Sequence, residues 1–383
     1  LDANEIVEWL RHSPCSAADP FGSGRRGILR FPNSDDYDRF LHMTQAMHTS
    51  NAESSLASVR PLNLIQAVSC PIIDREPPAW LRGRAVWEED APVQVGALPK
   101  GALVTDKGIP WGVKHIQAPR AWSKTTGYRV KVGVIDTGVD FGHPDLRHSL
   151  ERGINLLHRL SLPQDDNGHG THISGTIAAA NELQGMIGVA PRSMIYPVKA
   201  FDYNGTAFVS DIVLGIEWCV RNQMNVINMS FGMKTRSKSL QSAVSNAYRS
   251  GVLIVASSGN DGKIGEIDYP ARYSQTIAVG ATNRQSRVAA FTNRSGLIDI
   301  YAPGDRIVSA WLRGKHREMS GTSMATSHVT GAIALLLALK PGLSPGQIKT
   351  IVKSSAKPLR KGKTPRIAGE LNVLRMIKAA EHL

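Results

Sequence analysis

Apolar residues arrive in short runs along most of this chain. From "RVKVGVID" (Arg129 to Asp136) onward, the runs "MIYPVKAFD", "NVINMS" and "VLIVASSGN" are nearly continuous, the pattern of strands covered on both faces of a parallel sheet. Between them, "THISGTIAAANE", "VSDIVLGIEWCVRNQM" and "KSLQSAVSNAYRSG" carry apolar residues at helical spacing. The alternation predicts an α/β fold, a doubly wound, mainly parallel sheet with helices on both faces. Ligands of such sheets bind beyond the carboxyl ends of the strands. The polar residues predicted there are Asp136, Ser230 and Asn260.

The first hundred residues follow another rhythm. "RGILRFP", "LNLIQAVSC" and "RAVWEEDAPVQV" read as strands and "SDDYDRFLHMTQ" as a short amphipathic helix opened by Ser34, a small α+β unit. "GALPKGALVTDKGIPWG" (Gly96 to Gly112) then has Gly and Pro without periodicity, the mark of a linker. The chain is therefore divided into an N-terminal unit, 1–100, and a larger unit, 101–383.

Composition narrows the class. With 383 residues and 42% hydrophobic content, the chain can bury one large core and a small second one. Its longest apolar run, Gly331 to Leu339, stops at Lys340, short of the roughly 20 residues of a membrane span, so no span is expected. The opening "LDANEIVEWL" has neither an initiator Met nor a leader pattern; a secreted protein whose leader has been removed is the expectation, with an intracellular one left open. Cys15, Cys70 and Cys219 make an odd set that cannot close a disulfide framework. Cys219 shares an apolar helix face with Ile212 and Ile216 and reads as a packed thiol.

Charge is uneven. The formal net charge is +13, of which residues 1–102 carry −3 and the remainder +16, so the two parts attract. The basic residues are scattered apart from "KPLRKGKTPR" (Lys357 to Arg366), and no zinc-ligand spacing, stacking aromatic cluster or basic helix accompanies them. No nucleic-acid partner is expected.

Three polar positions could carry chemistry. Asp136 ends a strand in "VIDTG", although Asp-Thr-Gly is also an ordinary turn. His169, in "NGHGTHISGT", sits at a helix start, where the positive helix end disfavours an imidazolium; to act as a base it needs a carboxylate, which Asp136 could supply. Ser323 opens the helix of "SGTSMATSHVTGAIALLLAL", where backbone N–H groups are free to meet an anion. A plain N-cap would use the same serine, but small residues at Gly321 and Ala325 leave room for a substrate carbonyl.

Together "VGVIDTGVDFGHPDL", "NGHGTHISGTIAA" and "SGTSMATSHVTGAIALL" resemble the signature segments of subtilisin-like serine peptidases, in the order Asp, His, Ser known for that family. The resemblance runs from about Ile109 to the C-terminus. It implies that Ser323 attacks the scissile carbonyl, that His169 takes and returns the proton, and that Asp136 orients His169. Asn260, in "ASSGNDG", matches the side-chain donor of the oxyanion hole. Ser230, Phe231 and Gly232, with Gly205, Thr206 and Ala207, match the two cleft edges that pair with an extended peptide.

The same resemblance puts Asp268 on the floor of the pocket for the side chain before the scissile bond, with Asp261 beside Asn260. An acidic floor favours Lys or Arg, whereas two solvated loop acids would favour neither; with the preference, Lys100 becomes a candidate point of self-cleavage. No cofactor is needed for the chemistry. The family's structural calcium would fall to Asp145 and Glu182, although Glu182 replaces the usual Asn and Lys107 brings a cation to an amide ligand's place. Ser327 stands for the usual Pro and Met233 for a second cleft-edge Gly. The N-terminal unit resembles the family's prosegment, best in "VWEEDAPV", which implies a zymogen held by its own intramolecular inhibitor; Leu1 to Gly24 has no counterpart in that likeness.

The implied function is an endopeptidase acting on protein and peptide substrates through an acyl-enzyme. An esterase of the α/β-hydrolase type would need G-x-S-x-G and the order Ser, Asp, His, and neither occurs. An inactive or tightly inhibited binding protein on the same scaffold is the alternative; the presence of all four chemical residues counts against it.

Overall fold

A computed structural model describes residues 3–11, 26–48, 59–71, 77–96, 103–104, 108–181, 185–359 and 368–381. Lys100, Lys107, Glu182 and Cys15 lie outside them. Strands β1 (Arg26–Arg30), β2 (Arg60–Leu62), β3 (Ala67–Pro71) and β4 (Val86–Glu89) form an antiparallel sheet in the order β2-β3-β1-β4. Helices α1 (Ala3–Arg11) and α2 (Ser34–His48) close a small core with it, in which Ile6, Trp9 and Leu10 join Phe31, Phe40 and Trp80. Ile28 and Leu29 of β1 are both buried because they face different cores: Leu29 lies in this one, and Ile28 packs with the larger unit.

Two expected strands differ from their reading. "LNLIQAVSC" begins as a 3₁₀ turn (Asn63–Ile65) closed by Gln66 in the left-handed region, and extends only from Ala67. "RAVWEEDAPVQV" breaks at Asp90: β4 ends at Glu89, and β5 (Pro92–Val95) leaves the sheet for the larger unit. The break occurs where the buried Asp90 carboxylate accepts bonds from the Ser210 N–H and hydroxyl.

In the larger unit the strands are β6 (Leu103–Val104), β7 (Lys131–Asp136), β8 (Ile154–Asn155), β9 (Met194–Lys199), β10 (Thr206–Phe208), β11 (Val226–Met229), β12 (Phe231–Gly232), β13 (Leu253–Ser257), β14 (Thr276–Thr282), β15 (Ile300–Pro303), β16 (Ile307–Trp311) and β17 (Lys315–Met319). Seven of them build a fully parallel sheet, β15-β14-β13-β11-β7-β9-β8. The helices are α3 (Trp111–His115), α4 (His169–Ala178), α5 (Val209–Arg221), α6 (Lys238–Arg249), α7 (Thr322–Leu339), α8 (Pro345–Ser354) and α9 (Val373–Glu381). Apolar residues of α3, α4, α7, α8 and α9 fill one face of the sheet and those of α5 and α6 the other, which is the doubly wound arrangement.

Helix α7 begins at Thr322, nine residues before the apolar run read from the sequence, and is long and apolar enough to cross a membrane; 89% of it is buried inside the protein. It is the central core helix. Cys219 is buried against Gly133, and burial pushes its thiol pKa up.

Candidate active site

β7 delivers Asp136 at its carboxyl end, beside the start of α4, where His169 is the first residue. The His169 Nδ1–H faces both Asp136 oxygens, at 2.8 and 2.9 Å, and the Thr137 N–H bonds Oδ1 at 2.7 Å. Both side chains are buried. This approach depends on glycine. Gly168 has φ +105°, and a side chain there would run into Trp311; a methyl group on Gly170 would run into the Gly138 carbonyl. Asp165 caps the helix in place of its N-cap residue, accepting from the N–H groups of Gly168 and Thr171 and from the hydroxyls of Thr137 and Thr171.

The second histidine of the motif has another task. His172 bonds the carbonyls of Ile307 and Arg317, and burial pushes its pKa down to about 3. It is a neutral packing residue.

Ser323 is the second residue of α7 and is buried. Its hydroxyl donates to the Ser230 carbonyl at 2.9 Å, and the Ser230 hydroxyl donates back to the Ser323 carbonyl at 3.0 Å. His169 Nε2 is buried and meets no hydrogen-bond partner among the described residues. The serine and the imidazole therefore stand at the starts of two packed helices, α7 and α4, without a bond between them. Asn260 is oriented by a residue to which the sequence reading gave no role: its Oδ1 accepts from the Thr322 N–H and the Thr322 hydroxyl, both at 2.8 Å. Its amide Nδ2–H₂ is thereby left as the outward donor.

The two segments expected to be cleft edges hold an extended segment between them, and that segment is the chain's own. β5 lies between β10 and β12, antiparallel to both: Val93 opposes Ala207, Gln94 opposes Thr206 and Gly232, and Val95 opposes Phe231. The Val95 N–H bonds the Gly205 carbonyl at 3.0 Å. A methyl group on Gly96 would lie 2.7 Å from Asn260 Nδ2 and 3.3 Å from Ser323 Oγ. The side of the N-terminal unit that carries β5 is tied down by carboxylates. Glu88 accepts from the Ser237 hydroxyl and from the Ser239 N–H and hydroxyl at the start of α6; Asp90 does the same at the start of α5. Arg26 and Arg60 pair with Asp90 and Asp211 around it. Burial pushes the Asp90 carboxyl up to about 6.

Asp268 is buried between the two segments that flank Gly96. Methyl groups on Gly232 and Gly259 would come within 2.8 and 2.5 Å of its carboxylate. It is not an open acidic floor, because Lys234 Nζ bonds its oxygens at 2.8 and 3.0 Å and also pairs with Asp261.

Asp145 is likewise occupied by protein donors. Oδ1 accepts from Asn181 Nδ2 at 2.7 Å, and Oδ2 accepts from the Met186 N–H at 3.1 Å and faces His316 Nε2 at 2.6 Å. Burial works against ionisation there, yet these bonds outweigh it and hold the carboxyl below its ordinary value. Nitrogen donors directed at both oxygens do not fit calcium, which needs oxygen ligands. Nearby His143 spends Nδ1 on the Asp145 N–H and Nε2 on the Lys315 carbonyl, so His143, Asp145 and His316 do not offer a free ligand set either.

The family model described as the subtilase family matches residues 127–370 of the chain. "Subtilisin Savinase" of Lederbergia lenta is 43% identical over 254 residues, 66% of this chain and 93% of that protein. An "Alkaline protease" of Alkalihalobacillus alcalophilus is 42% identical over 273 residues, covering 71% of this chain and 68% of its own length. "Subtilisin E" of Bacillus subtilis (strain 168) is 42% identical over 255 residues, 65% of this chain and 66% of that protein.

Proposed function

This chain belongs to the subtilase family and is a serine-type endopeptidase, and from that premise we propose that Asp136, His169 and Ser323 form its catalytic triad in a self-processing zymogen. Ser323 Oγ leaves the Ser230 carbonyl, passes its proton to His169 Nε2 and attacks the scissile carbonyl carbon. The imidazolium that forms is held by Asp136 and returns the proton to the leaving amine, and water then hydrolyses the acyl-enzyme with His169 again as base. The Asn260 amide and the Ser323 N–H stabilise the tetrahedral oxyanion. These residues and water supply the chemistry, with no cofactor in any step.

In the zymogen, residues up to Gly96 act as the inhibitory prosegment and the rest as the catalytic unit. The observation that carries this is the threading of β5 between β10 and β12, with Gly96 against both Asn260 and Ser323. It favours cleavage after Gly96, ahead of Lys100, and a mature N-terminus at Ala97. Burial of Ile28 against the larger unit, and the carboxylate caps of Glu88 and Asp90, support a docked inhibitor.

The test compares the full chain with its Ser323→Ala form by intact mass and casein hydrolysis. The expected result is a product beginning at Ala97 and casein cleavage, both lost in the Ala form. Trimming or hydrolysis that persists in the Ala form would refute the triad, and a mature terminus well away from Ala97 would refute the register.

A further inference from the structure

We propose that Lys234 is a specificity-determining residue: it occupies the acidic pair Asp268–Asp261 as a built-in cation and thereby cancels the preference for Lys or Arg that a bare acidic pocket would have. This rests on the reading of the cleft given above. There, the residue before the scissile bond is the one at the position of Gly96. A methyl group there would lie 2.7 Å from the side chain of Asn260, the neighbour of Gly259, and the carboxylate that methyl groups on Gly259 and Gly232 would meet is that of Asp268.

The charge balance decides what that carboxylate demands. Asp268 is buried, and burial pushes its carboxyl up despite the bonds from Lys234. Such a group needs a counterion or a proton. Among the described residues Asn293 Nδ2 is the other donor, at 3.4 Å, and it also serves Asp261 at 3.2 Å. With Lys263 acting from farther away, Lys234 is the cation bonded to Asp268 among the described residues. Its ammonium is partly buried, which works against its charge, but the bonds to Asp261 and Asp268 hold its pKa above the ordinary value. An incoming Arg or Lys side chain therefore does not meet an unpaired carboxylate. It must displace an ammonium already bonded there, an exchange of one charge-assisted bond for another with little net gain. Phe or Leu leaves the cluster undisturbed.

Gly96 fits the same picture, because a residue without a side chain docks without touching the cluster. Self-processing and the choice of outside substrates then depend on different features: the first on main-chain threading, the second on whether Lys234 yields.

The experiment measures kcat/KM for two peptides differing only in the residue before the cut, Arg against Phe, in the matured enzyme and its variants. The wild type is expected to show an Arg:Phe ratio within a few fold of one. Lys234→Met should raise the ratio about tenfold or more, the size of one charge-assisted bond. Lys234→Arg should leave it low. Adding Asp268→Asn to Lys234→Met should abolish the gain, which identifies the carboxylate responsible; the Phe peptide reports within each variant that the enzyme is folded and active. An unchanged ratio in Lys234→Met, or a gain that survives Asp268→Asn, would overturn the proposal. If the wild type cleaves neither peptide, the peptidase reading itself fails, and this inference with it.

Discussion

The imidazole of His169 is held by Asp136 through both carboxylate oxygens, at 2.8 and 2.9 Å, while its other nitrogen is buried and unbonded among the described residues. The pair is prepared on one side for a proton arriving on the other. Asp136→Asn would keep the shape but offer a donor where an acceptor is needed, favouring the wrong tautomer. Self-trimming of the full chain, followed by intact mass, should slow by roughly 10⁴-fold. Trimming at the wild-type pace would mean that this pair takes no part in proton transfer.

Thr322 aims Asn260. Asn260→Ala should reduce kcat by about 10²–10³, a size known for the loss of the oxyanion donor in a subtilisin. Thr322→Val keeps the backbone N–H bond and loses the hydroxyl, so a smaller loss is expected. If the hydroxyl works only through the amide, the double variant will be no slower than Asn260→Ala. Additive losses in kcat would show that Thr322 acts by another route.

Asp90 makes docking of the N-terminal unit depend on pH. Its carboxyl is raised from 3.8 to about 6 by burial. A value raised in the folded state gives a contribution that is complete below 3.8 and lost as pH rises through about 6, on the order of 3 kcal/mol at most. Asp90→Asn cannot ionise and escapes that loss. In the Ser323→Ala background, the melting temperature of the Asn form relative to Asp should therefore rise from pH 4 to pH 7. A difference that is flat over this range would show that the Arg26 and Arg60 charges already offset the burial.

Calcium should have little hold on Asp145. With Asn181, Met186 and His316 filling its oxygens, the melting temperature of the full Ser323→Ala chain should be the same in EDTA and in millimolar calcium. His316→Ala should lower it, because a buried carboxylate loses a donor. A rise of several degrees with calcium would show Asp145 turning from these donors to the cation.

The places of Asp136, His169 and Ser323 in the fold and the parallel sheet were legible because each is local: apolar runs of strand length end in Asp136, Ser230 and the Asn260 loop, glycine-flanked His169 opens α4, and Ser323 stands in the first turn of α7. What escaped is set by distant partners. The alternation in "APVQV" predicts a strand but not which sheet it joins, since any exposed edge satisfies a strand's backbone groups equally. β5 pairs with β10 and β12 just after Asp90 bonds Ser210 at the start of α5. Lys234 lies 34 positions from Asp268 and 27 from Asp261, so nothing in its neighbourhood distinguishes it from a solvated lysine. Asp145 was read for the cation it could take, and the occupant is a histidine from β17. Thr322 escaped because its hydroxyl bond to Asn260 spans 62 positions, while its place beside Ser323 suggested only a helix start.

Glu88 and Asp90 complete the first turns of α6 and α5 from another part of the chain. In the proposed maturation, a cut after Gly96 and loss of that part would leave both helices without these two carboxylate caps. A matured molecule that loses its shape must then rebuild those two beginnings without the carboxylates that first satisfied them. Maturation would in this way be a one-way passage, with the finished enzyme relying on its folded barrier more than on its ability to return.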